Sequence, residues 1–176
     1  DKRSFNGHDL SFAEALGNAA ALSIENARTH TASLEMSEFL EKYSGFLAGV
    51  MQWDDLTALW QRIRAQSGSQ WYVYAVGEAV PTSPASEQQL EQFMDSIDAL
   101  LHKEHEHDYC GIVYVDDAED PSFVKIYDPH NLGVVCGFSE HPPLPGWVMS
   151  LIAPVDLPAT QVTPGNRRRW WRRLFR

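Results

Sequence analysis

Residues 110–138 read CGIVYVDDAEDPSFVKIYDPHNLGVVCGF. Three runs rich in β-branched and aromatic residues, 110–115, 123–127 and 133–138, are separated by Asp116-Asp117-Ala118-Glu119-Asp120-Pro121 and by Asp128-Pro129-His130-Asn131. Asp and Asn tolerate tight turns and Pro fixes φ, so the separators read as turns and the runs as strands. Connections this short join antiparallel neighbours. Upstream, 70–76 (QWYVYAV) has the same strand composition, which makes an expected sheet of four mainly antiparallel strands.

The helices that cover this sheet are read from spacing. Ser86 with Gln89 three residues on forms a capping-box pattern before Leu90, Phe93, Met94, Ile97, Leu100 and Leu101, the best amphipathic run in the chain. Asp54 and Asp55 open another helix through Leu56, Leu59, Trp60 and Ile63, since acids suit the positive end of a helix dipole, and Gly68 stops it. Phe39, Tyr43, Phe46 and Val50 mark one more helical face. The fold class is α+β, with helices on one face of the sheet. Downstream, Pro142, Pro143, Pro145 and Pro154 limit regular structure to one short helix expected at 147–152, and 158–166 reads as a linker.

At the other end, Leu10, Ala13, Leu16, Ala20, Ile24 and Ala27 recur at intervals of three and four, the spacing of one apolar helix face. Phe5, Asp9-Leu10, Glu14-Ala15-Leu16-Gly17-Asn18-Ala19-Ala20 and Ile24-Glu25-Asn26-Ala27-Arg28 together resemble the closing helix of a GAF sensor domain. In that family the helix packs on the sensor sheet and continues as a connector to an output module. The resemblance covers residues 3–30, carries over no ligand-binding residue, and implies a connector or dimerisation element of bacterial signalling type. Ser33-Leu34-Glu35-Met36 suits a junction. Three regions are therefore expected: a connector helix at 1–35, an α+β module at 36–160, and a linker with a tail at 161–176.

Charge is distributed unevenly. Of fourteen basic residues, six are Arg167, Arg168, Arg169, Arg172, Arg173 and Arg176, so the rest of the chain carries few cations against 24 acids. Such a body repels phosphate, which makes nucleic acid an unfavoured partner. Two cysteines cannot build a disulfide framework, and no run of about 20 apolar residues is present. With no basic-apolar leader pattern either, the expected location is the cytoplasm, with peripheral attachment to the inner membrane as an option.

Within the tail, at about 100° per residue, Trp170, Trp171, Leu174 and Phe175 fall on one side of a helix and Arg168, Arg169, Arg172, Arg173 and Arg176 on the other. Indole and phenyl groups suit a lipid headgroup boundary, and arginine suits anionic groups. The tail is thus a candidate contact with an anionic membrane surface, or with an acidic protein, this chain's own body included.

One chemical alternative stands beside this. His105, His107, Cys110, His130 and Cys136 are ligand types for zinc, and Cys110 or Cys136 beside a histidine such as His130 or His141 supplies the parts of a thiol-dependent activity. Their spacing fits no standard zinc pattern, and histidines also suit the negative end of a helix. Asp116, Asp117, Glu119 and Asp120 lack the glycine and closing glutamate of a calcium loop. The expectation is a non-enzymatic regulatory or interaction module without a cofactor, partnered by a protein or by itself through the leading helix.

Overall fold

The computed structural model describes residues 7–131, 144–157 and 164–175. The strand expected at 133–138 lies outside these residues, as do Cys136, His141 and Arg176. The chain divides into two compact units, 1–37 and 38–176.

Helix α1 spans Gly7–Ser44. Within the first unit, residues 16–37 are exposed throughout, Leu16, Leu22, Ile24, Leu34 and Met36 among them.

The second unit is an α+β fold around a sheet of β1 (Ala48–Val50), β2 (Tyr72–Ala75), β3 (Val113–Val115), β4 (Phe123–Ile126) and β5 (Trp147–Ser150). Every pairing is antiparallel, in the order β1-β3-β4-β5-β2. Helices α2 (Trp53–Ala65), α3 (Glu87–Glu104) and α4 (Gly165–Leu174) complete the described elements, with a 3-10 turn at Pro129–Asn131.

Sidedness follows from the two-residue period of a strand. Val124, Ile126, Trp147, Met149, Val73 and Ala75 join a core with Leu56, Leu59 and Ile63 of α2, Phe93, Met94 and Ile97 of α3, and Trp171 of α4. The intervening residues Phe123, Val148 and Tyr74 point the other way and pack with Phe39 and Leu157. Both faces are therefore covered, where helices on one face were expected. Fully burying a side chain such as Phe93 contributes about 1.5–3 kcal/mol.

Among the described residues the sheet has five strands, and the two that were not expected, β1 and β5, correct the sequence reading. Residues 147–150 form β5, not part of a short helix. All four are buried, and β5 pairs with β4 on one side and β2 on the other, so its backbone groups are satisfied only by the ladder. Likewise Phe46 and Val50 do not continue the face of Phe39 and Tyr43. Phe46 is fully exposed and Val50 belongs to β1.

Two features end α1 at Ser44. A Cβ at Gly45 would sit 2.8 Å from the Glu41 carbonyl oxygen, so only glycine fits there. The buried Lys125 ammonium donates to the Tyr43 and Gly45 carbonyls at 2.7 Å each, satisfying oxygens that a helix end leaves without partners. That role explains a lysine in the middle of a sheet. Burial pulls its pKa below the usual lysine value.

The capping box expected at α3 is formed. The Gln89 N–H donates to Ser86 Oγ at 3.2 Å, and the Ser86 N–H donates to Gln89 Oε1 at 2.9 Å. Ser86→Ala removes one of these bonds and is expected to lower stability by about 1 kcal/mol. Urea denaturation monitored by tryptophan fluorescence measures it, and an unchanged midpoint would show the cap to be inert.

Candidate functional site

Helix α4 is docked on the second unit along its aromatic side. Trp171 is buried, and its ring meets Phe93 of α3 edge-on with centroids 6.1 Å apart. Phe175 lies 4.3 Å from Trp171 and 6.3 Å from Phe93, while Trp170 meets Trp147 of β5 at 5.5 Å. These large rings fill the space beside α3.

The first turn of α4 carries Arg167 and Arg168, which the positive end of a helix dipole disfavours. Arg167 meets this with acids from two other elements. Its Nε donates to Asp128 Oδ2 at 2.7 Å and its Nη2 to Asp128 Oδ1 at 2.8 Å, a bidentate pair in which both side chains are buried. Nη1 donates to Glu104 Oε1 at 3.0 Å, and Nη2 also reaches the other Glu104 oxygen. Hydrogen bonding from Arg167 holds the Glu104 carboxyl below its ordinary pKa. Asp128 is itself oriented by the turn after β4, where it accepts the His130 N–H at 2.9 Å.

Arg168, Arg169, Arg172 and Arg173 are exposed, and none of them forms an ion pair among the described residues. The docked helix thus turns its rings inward and presents a face of four guanidinium groups.

The expected histidine and cysteine set comes together only in part. His105 caps the C-terminus of α3, its N–H donating to the Leu101 carbonyl at 2.9 Å. Its buried ring packs against His107 at 4.9 Å, Trp53 at 5.7 Å and Tyr109 at 6.0 Å, and neither ring nitrogen has a hydrogen-bond partner among the described residues. His102 packs on Trp53 with centroids 4.1 Å apart and the rings tilted by 31°, and it places Nδ1 3.0 Å from the Asp98 carbonyl. His130 is exposed on the 3-10 turn. Cys110 is a buried free thiol, and burial pushes its pKa up, which keeps it protonated and weakly nucleophilic near neutral pH. Among the described residues no group of three or more His, Cys, Asp or Glu side chains is placed to hold a metal ion.

Asp116 in the first turn is engaged within the fold. Its carboxylate accepts the Lys42 ammonium at 2.6 Å, the Ser122 hydroxyl, and the backbone N–H groups of Ser122 and Phe123 at 3.0 and 2.9 Å.

Set against known proteins, no family model, no curated protein and no solved structure matches the chain. Among the described residues no helix is long and apolar enough to cross a membrane.

Proposed function

We propose that this chain is a non-enzymatic regulatory or interaction module of bacterial signalling type, with α1 as a connector that self-associates and the outer face of α4 as a contact for an anionic partner. The observation that carries the reading is the exposure of α1. A helix of 38 residues is about 57 Å long, and its residues 16–37 are exposed among the described residues.

At about 100° per residue, Leu16, Ala20, Ile24, Ala27 and Leu34 share one side of this helix. Alanine at two of those positions allows close approach of a second helix, and leucine or isoleucine at the others supplies the area to bury. Helical stability in water comes mainly from such packing, so a long bare helix calls for a partner. The resemblance of residues 3–30 to a GAF closing helix supports the same role.

For α4, burial of Trp171 leaves the arginine face as its contact surface. Guanidinium groups that are free of internal acids suit carboxylates on an acidic protein, or lipid phosphates, by charge and hydrogen bonding. The aromatic side that would enter a bilayer is engaged with Phe93 and Trp147, which favours the acidic protein.

Sedimentation equilibrium on the full chain tests the self-association. A dimer is expected, and Ile24→Glu with Leu34→Glu is expected to convert it to a monomer with an unchanged circular dichroism signature for the sheet. A strictly monomeric mass at high concentration would overturn the reading.

A further inference from the structure

Beside the docked helix, the loop 77–85 and α4 line a half-open cleft of about 430 Å³. That volume falls within the range of small-molecule sites. We propose that this cleft binds a small zwitterion with an apolar body, the chemistry of an apolar amino acid or a short apolar peptide. The proposal does not rest on self-association through α1.

The cleft is preformed. Gly77, at φ +88°, sits in the tight turn after β2 in which the Glu78 N–H donates to the Ala75 carbonyl at 3.0 Å, a conformation that favours glycine. At the other end of the loop the Ala85 N–H donates to the Trp71 carbonyl at 2.8 Å. Between these anchors Pro81 and Pro84 fix their own φ angles, so the loop wall has little freedom to lose on binding.

The lining divides into an apolar body and two opposite charges. Val73 from β2 and Pro84 and Ala85 from the loop face Trp171 and Phe175 from α4. Those two rings are held 4.3 Å apart by the packing that docks the helix. Arg172 from α4 and Glu78 from the loop line the same cleft, and neither forms an ion pair with the other or with any described residue.

An anion alone satisfies Arg172 and faces Glu78, and a cation alone does the reverse. A ligand carrying both a carboxylate and an ammonium satisfies the two together and lays its apolar part against the rings. Gln89 adds a directional group. Its Oε1 accepts the Ser86 N–H, so its Nε2 remains available to donate to a ligand carboxylate or carbonyl.

The test uses the full chain, isotopically labelled, with three probes: L-phenylalanine, L-phenylalaninamide without the carboxylate, and 3-phenylpropionate without the ammonium. L-Phenylalanine is expected to shift the amide resonances of 78–85 and 171–175 in a saturable manner, and each truncated probe to bind about tenfold more weakly. Arg172→Gln is expected to weaken L-phenylalanine about tenfold and leave the amide unchanged. Glu78→Gln is expected to weaken L-phenylalanine similarly and leave 3-phenylpropionate unchanged.

The absence of saturable shifts, their appearance in other segments, or equal weakening of all three probes by both variants would overturn the site. A monomer that passes this test would keep the cleft while removing the self-association proposed above.

Discussion

Arg167→Ala is expected to detach α4 from α3 and the sheet of the second unit. The substitution removes the cation from a buried bidentate pair, leaving Asp128 without a counter-charge and Glu104 without its hydrogen bonds. Breaking a buried pair from one side costs about 3–5 kcal/mol, because the remaining charge has lost its solvent and gained nothing. The helix holds only ten residues and is marginal by itself, so local release relieves that cost by letting water reach Asp128. Hydrogen exchange checks this directly: amides 168–174 are expected to lose their protection while β4 and β5 retain theirs. Arg167→Lys keeps the charge without the fork and is expected to restore only part of the protection. Retained protection in Arg167→Ala would show that the aromatic contacts hold α4 unaided.

Asp116 is expected to dominate the acid sensitivity of the second unit. Burial works to raise its pKa, but the Lys42 ammonium, the Ser122 hydroxyl and the backbone N–H groups of Ser122 and Phe123 outweigh burial and bring it down to about 2. The side chain is 15% exposed, so solvent screens the Lys42 contact only weakly. A carboxyl whose folded pKa is depressed contributes stability that is fully present above its unfolded pKa. That contribution, roughly 2 kcal/mol here, is lost as the pH falls from about 4 through about 2. Asp116→Asn is expected to lower stability by about 2–3 kcal/mol at neutral pH and to flatten the stability curve in that acid window. Urea denaturation at a series of pH values measures both effects, and an Asn variant that keeps the full acid dependence would assign it to other carboxylates.

Elements with a local chemical signature were legible from the chain. The Ser86 and Gln89 pair marked the start of α3, the aromatic and branched run at 70–76 marked β2, which spans Tyr72–Ala75, and the acid-rich turn placed β3 and β4 on either side of it. β5 was not legible, because Trp147-Val148-Met149-Ser150 sits among prolines and its strand character comes from neighbours distant in sequence. The end of α1 depended on Lys125, some eighty residues away, for the same reason.

The candidate site shows both sides of this. The separation of rings from arginines around α4 was readable from helical spacing. Arg167, which falls on the ring side of that helix, was the available sign that one arginine serves the interior. Its acid partners Glu104 and Asp128 come from two different elements, and only the tertiary fold brings them together. For the histidines, residue type was visible, but not that His105 would be enclosed by Trp53, His107 and Tyr109.

The strand order has a consequence for how the molecule assembles. Among the described residues β2 pairs only with β5, and β5 also completes β4, so this sheet closes through contacts between segments far apart in the chain. Closing so large a loop comes before the contacts that reward it, which slows folding relative to a fold built from neighbouring hairpins. During synthesis β2 gains β5, its lateral partner among the described residues, only after residues 147–150 have left the ribosome, so a chaperone would meet this chain before that pairing forms.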